Sequence, residues 1–235
     1  MTPSYTPVMG SKPRRRVGNH WEANCPFRSR VGTGSSDLED QIDVLLSLDP
    51  TVTDFCEQPL RVRVFIDGDW HSSVLDYWIR RHDGRELFRE AKYESDLGAR
   101  ARLPRLDLQL RIQEQWSSKE GRDYGVLTDA LTRQHVTRIR NGKLVLGFLR
   151  AQYPEDRRDD ISAEIEMFVD KRARTYGEVM ARFEPAPSAL VAQALFSLLV
   201  VGRLSADLDA KPLNELTLFR RHDGSFDEHP LALQY

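Results

Sequence analysis

Two carboxylates and one ammonium group lie at strand spacing in the middle of the chain. Asp76 precedes, and Glu90 and Lys92 follow, the segment His82-Asp83-Gly84, which has the composition of a turn. A symmetric three-residue loop there pairs residues whose numbers sum to 166, which sets Asp76 directly opposite Glu90. Strand alternation then places Lys92 on the face of Glu90, about 7 Å further along. The spacing predicts two acids and one base on one face of a hairpin.

Such a hairpin has a specific chemical use. Like charges directly opposite each other repel, so the pair needs an exposed face or a cation between the carboxylates. Mg²⁺ and Mn²⁺ accept one or two carboxylates together with waters and a substrate phosphate. A metal that polarises a phosphate and a lysine that orients water are the parts of phosphodiester hydrolysis. The alternative is a solvated hairpin with scattered charges, because acid-x-Lys after an acid is a common pattern.

Glu39 is a third candidate acid. The segment Ser36-Asp37-Leu38-Glu39 has the pattern of a capping box, and it precedes an apolar run at helical spacing that ends at Asp49-Pro50. A first helix is therefore expected after Ser36. Two roles stay open for Glu39: it points toward the carboxylates of the hairpin, or it returns a hydrogen bond to the start of its own helix.

The elements around these residues predict a mixed α/β domain. Three β-rich stretches are expected at 55–66, 72–79 and 86–93, followed by a helix at 100–119, a strand at 124–128 and a helix or turn around Leu131. Strands followed by a helix and a further strand give a mixed sheet in an α+β or α/β domain. Trp70, beside the turn Asp67-Gly68, is expected to be the most exposed tryptophan.

A second module is expected after residue 152. The stretch 154–160 is charged and has no apolar member, which favours a linker. Helices are expected at 161–174, 176–183 and 187–201, and short strands at 204–208 and 216–220, an order that suggests a winged-helix module. The predicted division is a flexible basic arm at 1–34, a mixed α/β domain at 35–152 and a winged-helix-like domain at 153–235.

The formal net charge of −2 is unevenly distributed. Residues 1–34 carry six Lys and Arg side chains against one acid, and the segment 133–150 carries five without any acid. Such runs suit a polyanion, although a solvated terminus without a ligand is the alternative for the arm. The candidate DNA-contacting residues are Arg14, Arg15, Arg16, Arg138, Arg140 and Lys143.

Composition excludes several classes of protein. No stretch approaches 18 consecutive apolar residues, and the N-terminus lacks the apolar region of a secretory signal. Two cysteines, Cys25 and Cys56, support neither a disulfide framework nor a zinc site. A cytoplasmic protein without a membrane partner is expected.

Four segments together resemble the TnsA-type endonuclease subunit of heteromeric (Tns-type) transposases. They are Ser36-Asp37-Leu38-Glu39, Asp54-Phe55-Cys56-Glu57-Gln58-Pro59-Leu60, Leu75-Asp76-Tyr77 and Glu90-Ala91-Lys92. The most specific part is residues 49–60, with Asp-Pro-x-Val followed by Phe-x-Glu-Gln-Pro. The resemblance covers roughly residues 35–130 and implies a restriction-endonuclease-like fold for the domain at 35–152. The second module resembles the winged-helix C-terminal domain of that family.

The resemblance also implies a function. Glu39, Asp76, Glu90 and Lys92 would form the catalytic centre of a Mg²⁺-dependent DNA endonuclease in which Mn²⁺ substitutes. The metal ligands would be Asp76, Glu90 and the backbone carbonyl of Ala91, with Glu39 as a further candidate. The enzyme would cut the 5′ ends of a mobile element in the bacterial cytoplasm. Its partners would be the transposon-end DNA, a transposase subunit that cuts the 3′ ends, and an AAA+ ATPase regulator.

One position departs from the family pattern, and two other functions stay open. Leu75 stands where the family commonly has Pro before the first strand carboxylate. The first alternative is a catalytically silent nuclease-fold adaptor that recruits DNA and the AAA+ regulator. The second is a stand-alone restriction or repair nuclease. A cleavage assay of Asp76→Ala against the wild type separates the adaptor from the enzyme.

Overall fold

The computed structural model describes residues 5–8, 21–24, 31–34, 36–150 and 154–222. The helices in these ranges are α1 (Asp37–Ser47), α2 (Glu94–Gly98), α3 (Pro104–Glu120), α4 (Asp129–Gln134), α5 (Val136–Leu149), α6 (Glu155–Asp170), α7 (Tyr176–Arg182) and α8 (Ser188–Val200). The strands are β1 (Trp21–Asn24), β2 (Val31–Gly34), β3 (Val52–Glu57), β4 (Arg61–Ile66), β5 (Asp69–Val74), β6 (Tyr77–Arg81), β7 (Glu86–Lys92), β8 (Asp123–Thr128), β9 (Arg174–Thr175), β10 (Leu204–Ala206) and β11 (Leu218–Arg221).

The central sheet is mixed, in the order β3-β6-β7-β8. The first two pairs are antiparallel, and β7 pairs with β8 in parallel, with α3 in the crossover between them. Tyr77 lies opposite Arg89, and Arg80 lies opposite Glu86, so the β6–β7 hairpin has the predicted register. The mixed α/β class is therefore confirmed. The same register places Glu90 of β7 opposite Asp76, the residue that precedes β6.

Two layers cover this sheet. Helix α1 packs its Leu38, Ile42 and Leu46 side chains against one face, where they meet buried residues of the sheet such as Tyr77 and Leu87. The other face carries Trp78 and Phe88, which pack with the β4–β5 hairpin and with Ile112 of α3. The sheet thus lies between α1 on one side and α3 with a hairpin on the other.

Two predicted strands are each broken into two. The stretch 55–66 forms β3 and β4, separated at Gln58 and Pro59, and 72–79 lies across β5 and β6, separated at Leu75 and Asp76. Gln58 has a φ of 49°, and Pro59 has no backbone N–H, so neither continues a ladder. The breaks turn β4 and β5 out of the central sheet as a separate two-stranded ribbon.

The C-terminal part consists of three helices and a small sheet in the order β10-β11-β9. The linker predicted at 154–160 is wrong, because Glu155 already begins α6. Both predicted strands are present, while β9 and helix α5 were not predicted. The order of elements is compatible with the winged-helix prediction, which stays a prediction. No helix in the described ranges has the length and apolar character that a membrane span requires.

One apolar cluster crosses the predicted boundary between residues 152 and 153. Val44, Leu45 and Leu48 of α1 belong to the same buried cluster as residues of α5 and α8. Helix α1 therefore has two apolar faces, one on the sheet and one on α5, and α5 in turn packs on α8. The two predicted domains are thus joined through the contact of α5 with α8.

The predicted arm at 1–34 is structured in the parts that the structure describes. Strands β1 and β2 pair antiparallel, and the ring of Tyr5 lies 4.9 Å from Trp78 and 5.9 Å from Phe88. The backbone N–H of Val8 donates to the carbonyl of Gln58 at 2.9 Å. The predicted flexible arm therefore contains a strand pair among its described residues, whereas the Arg14–Arg16 run lies outside the described residues.

Helices α1 and α5 are tightly packed at Gly142. A Cβ atom there would lie 2.4 Å from Leu48 Cδ1 and 2.5 Å from Val44 Cγ1. We expect Gly142→Ala to lower the free energy of unfolding by about 1–3 kcal/mol, because the added methyl overpacks this contact. Gly147→Ala is the control on the same helix, since a Cβ there meets nothing within 4 Å.

Urea denaturation of both variants checks this. Gly147→Ala should gain up to about 1 kcal/mol from the better helix propensity of alanine. Equal stability of the two variants would contradict the tight α1–α5 contact.

Candidate active site

The first predicted acid, Asp76, is held at the bend between β5 and β6. Its backbone carbonyl accepts from the N–H of Gln58 at 2.8 Å, and its Oδ2 accepts from the N–H of Ala91 at 2.9 Å. The side chain keeps 23% of its surface exposed. Asp76 is therefore fixed by two neighbouring segments and still faces solvent.

The second acid, Glu90, is fully buried on β7. Its Oε1 accepts from Lys92 Nζ at 2.5 Å and from Gln109 Nε2 at 2.6 Å. Its Oε2 accepts from Gln113 Nε2 at 2.8 Å. An ionised carboxylate out of water is tolerated only when it is paired and hydrogen-bonded, and these three donors supply both conditions.

The ammonium of Lys92 lies among three oxygen atoms. It contacts Glu90 Oε1 at 2.5 Å, the carbonyl of Ala91 at 3.1 Å and Asp76 Oδ2 at 3.8 Å. These three oxygens belong to Asp76, Glu90 and Ala91, the metal ligands that the family resemblance implies apart from the further candidate Glu39. The structure thus brings Asp76, Glu90, Ala91 and Lys92 together around one cation.

The charges of this cluster shift two pKa values upward. Burial and the charge of Glu90 raise the pKa of Asp76 well above its ordinary value of 3.8, against the opposing effect of Lys92. Burial by itself lowers the pKa of Lys92, but the charges of Asp76 and Glu90 outweigh it and raise the pKa overall. Lys92 is therefore an ammonium group at neutral pH.

Glu39 of α1 lies close enough to this cluster for its charge to act on it. Its charge contributes to the raised pKa values of both Lys92 and Tyr77. The Ser36 hydroxyl accepts from the backbone N–H of Glu39 at 3.2 Å, so the predicted helix cap is present. Tyr77 anchors this end of α1, because its hydroxyl lies 2.8 Å from Asp43 Oδ1 and 3.1 Å from the Glu39 carbonyl.

The oxygen atoms around Lys92 include the donors that the implied metal would need. In the described part of the chain, no three His, Cys, Asp or Glu side chains converge closely enough to hold an ion. Two carboxylates and one backbone carbonyl, those of Asp76, Glu90 and Ala91, do lie together around the Lys92 ammonium. Mg²⁺ binds through one or two carboxylates and keeps several waters, so this all-oxygen set fits it.

Helix α3 supplies residues that the sequence analysis missed. Gln109 and Gln113, one turn apart, both donate to Glu90, and Gln113 also donates to Ser73 Oγ at 2.9 Å. Tyr124 of β8 donates to Gln113 Oε1 at 2.7 Å and so orients the amide. The i, i+4 spacing of two glutamines on a predicted helix was the available signal.

The motif at residues 49–60, the most specific part of the family resemblance, forms the turns and bends that hold the site in place. Asp49 Oδ1 accepts from the backbone N–H of Thr51 at 2.8 Å and from its hydroxyl at 2.7 Å, which closes the turn between α1 and β3. Gln58 holds the carbonyl of Asp76 and breaks the strand before Pro59. The motif therefore positions the first acid.

The basic run at 133–150 does not behave as one surface. Arg138 is 5% exposed and donates to both oxygens of Asp209, with Nη2 to Oδ2 at 2.7 Å, which does not fit a phosphate contact. Lys143 pairs with Asp40 Oδ2 at 2.5 Å. Arg140 is exposed and has no carboxylate partner within the described ranges. Of the three predicted contacts in this run, Arg140 alone keeps an accessible, unpaired charge there.

Comparison with known proteins agrees with the geometry. Residues 49–129 match the family model of the TnsA-like endonuclease N-terminal domain. The matched range contains Asp76, Glu90, Ala91 and Lys92 and leaves out Glu39. The search of curated proteins finds no match. These residues therefore carry a TnsA-like endonuclease domain, and the predicted recognition of a TnsA-type nuclease is confirmed.

The raised pKa of Asp76 has a consequence for stability. The folded protein takes up this proton at a higher pH than the unfolded chain, so the group loses stabilising effect as pH rises through its folded-state pKa. We expect Asp76→Asn, measured by denaturation with a chelator, to be more stable than the wild type at pH 7. The difference should shrink as pH falls toward 3.8.

Asp83→Asn is the control with the opposite sign. The backbone N–H of Arg85 lowers the pKa of Asp83, so its stabilising effect is present above 3.8 and is lost as pH falls. Asp83→Asn should therefore be less stable than the wild type at pH 7. A parallel pH profile for both variants would contradict the assignment of the Asp76 shift.

Proposed function

We propose that this protein is the DNA endonuclease subunit of a cut-and-paste transposase and cleaves the 5′ ends of its mobile element in the bacterial cytoplasm. The observation that carries this proposal is that oxygens of Asp76, Glu90 and Ala91 lie together around the Lys92 ammonium inside a TnsA-like endonuclease domain. The reaction is hydrolysis of a phosphodiester bond.

The residues divide the chemistry among them. Asp76, Glu90 and the Ala91 carbonyl would hold Mg²⁺ or Mn²⁺, with Glu39 as a further candidate ligand from α1. A bound divalent ion supplies polarisation of the scissile phosphate and a lower pKa for the attacking water. Asp76 is the ligand that faces solvent, so it meets the substrate side of the site.

Lys92 supplies a second positive charge. Its raised pKa keeps the ammonium protonated during the reaction, so it orients water and offsets negative charge in the transition state rather than acting as a base. Gln109 and Gln113 are positioning residues, because they act through Glu90. Their amides keep the buried carboxylate aimed toward Asp76.

The remainder of the chain is assigned to assembly. The C-terminal helices and the β9–β11 sheet are proposed to form a winged-helix-like module that docks the AAA+ ATPase regulator. A second transposase subunit cuts the 3′ ends. The alternatives are a silent adaptor with the same fold and a stand-alone restriction or repair nuclease. The first is less favoured, because Asp76, Glu90 and Lys92 remain together with complete hydrogen-bond support.

The first test of this function removes one group at a time. Asp76→Ala should abolish 5′-end cleavage, and Lys92→Ala should slow it by about 10²- to 10³-fold while sparing Mn²⁺ affinity, because all three oxygens remain. Single-turnover cleavage of transposon-end DNA in Mg²⁺ and in Mn²⁺, with the partner subunits present, measures the rates, and calorimetry measures Mn²⁺ binding.

Asp83→Ala is the matched control, since it removes an acid from the turn of the same hairpin. It should cleave at the wild-type rate. If Asp76→Ala also cleaves at that rate, the chain is not the nuclease of the assembly.

Glu39→Gln tests the third acid separately. The glutamine retains a capping side chain, so thermal stability should be unchanged while cleavage is lost if Glu39 serves the reaction. Ser36→Ala is the control, and it should cost about 1 kcal/mol of stability through the lost N-cap. Cleavage by Glu39→Gln that falls only in step with its melting temperature would restrict Glu39 to the cap.

A further inference from the structure

The β4–β5 hairpin leaves one of its faces uncovered. Arg61, Arg63 and Phe65 alternate on β4 toward this face, and the register places Ser72 opposite Arg63 and Trp70 opposite Phe65. Phe65 and Trp70 are 53% and 56% exposed, and Trp70 is thus the exposed tryptophan that the sequence predicted. The opposite face packs Val62, Val64 and Ile66 into the core beside α3. This exposed set, Arg61, Arg63, Phe65, Trp70 and Ser72, is called the ribbon face.

The ribbon face is positively charged. It contains two arginines and no acid, and neither Arg61 nor Arg63 has a carboxylate partner among the residues that the structure describes. The guanidinium of Arg63 lies 4.8 Å from the centre of the Trp70 ring, and the Phe65 ring meets the same tryptophan edge-on at 5.6 Å. This contact preorganises an arginine and an aromatic ring side by side.

The nearby acids are turned to other partners. Asp67 pairs with Arg111 of α3 at 3.0 Å, and Asp69 accepts from the backbone N–H of Trp70 at 3.0 Å. Arg111 thus offsets the charge of Asp67, and strand alternation places Asp69 on the face opposite to Trp70. Such a surface complements a phosphate backbone.

The ribbon is a direct extension of the candidate active site. Its strands start after Leu60 and end before Leu75, and the N–H of Leu75 donates to the carbonyl of Leu60 at 3.2 Å. Further along the same two segments, the N–H of Gln58 donates to the carbonyl of Asp76. Trp70 is six residues from Asp76, and the chain bends at Leu75 and Asp76, so the two residues are at most about 20 Å apart, or about six base pairs of B-DNA.

We propose that the ribbon face binds duplex DNA beside the cleaved phosphate. Arg61 and Arg63 contact backbone phosphates, and Trp70 with Phe65 lies against a groove at the tip of the ribbon. Two-stranded ribbons are of a size that enters DNA grooves, and phosphate contacts position a protein on the duplex without reading its sequence. This inference rests on the proposed function, because the DNA is the substrate of the same site.

The test compares two pairs of charge removals in the full chain. Arg61→Gln with Arg63→Gln removes the charges of the ribbon face, and Arg85→Gln with Arg172→Gln removes two exposed arginines elsewhere that have carboxylate partners. Fluorescence anisotropy with a labelled transposon-end duplex, in a chelator, gives the affinity at several salt concentrations.

The ribbon variant should bind the duplex about 10- to 100-fold more weakly, and its salt dependence should fall by about two phosphate contacts. The control pair should stay within about twofold of the wild type. Trp70→Ala should weaken binding about tenfold, and Trp70→Phe should restore part of it. A photo-crosslinking residue at position 70 should attach to DNA within about six base pairs of the cleaved phosphate.

Wild-type affinity and salt dependence in the ribbon variant would overturn the proposal. Unchanged DNA binding with lost capture of the transposase subunit would also overturn it, and would assign the ribbon face to a protein partner. Because binding is measured without cleavage, these results are independent of the Asp76→Ala assay. Failure of the ribbon and failure of the nuclease function are therefore distinguished.

Discussion

The burial of the Glu90 carboxylate is the constraint on which the rest of the site depends. A negative charge with no exposed surface requires nearby hydrogen-bond donors. Lys92 donates from the same strand, and Gln109 and Gln113 donate from the crossover helix α3. The parallel β7–β8 pair places that helix over the strand. The topology of the sheet is thereby connected to the electrostatics of a single side chain. Burial of Asp76 together with the charge of Glu90 raises the pKa of Asp76.

The parts of this arrangement that depend on local chemistry were predictable from the sequence. Loop length sets the register of a hairpin, so His82-Asp83-Gly84 was enough to align Asp76 with Glu90. Ser36 likewise marked the start of α1, because a hydroxyl at that position satisfies a free backbone N–H. In both cases the residues that determine the structure lie within a few positions of the feature that they determine.

Other features depend on partners distant in sequence. The bend at Gln58 is supported by hydrogen bonds with Val8 and Asp76, and Arg138 finds its carboxylate at Asp209, so neither could be inferred from a local pattern. Helix α6 was mistaken at its start for a linker, since a run of acids and arginines is polar but also suits an exposed helical surface. The amide donors to Glu90 depend on how α3 crosses the sheet, which no local pattern specifies.

The shared packing of α1 has a consequence for how this protein can be recombined. Leu38, Ile42 and Leu46 belong to the core of the nuclease sheet, and Val44 and Leu48 meet α5 at Gly142, in the cluster that includes the C-terminal helices. A chimera could join residues 1–152 of this chain to the C-terminal part of a relative. Such a chimera would keep α5 but would pair its apolar surface with a foreign α8. A functional chimera therefore has to take the buried residues of α1, α5 and α8 from the same parent protein. The segment that must be exchanged as a whole is this helical interface rather than either half of the chain.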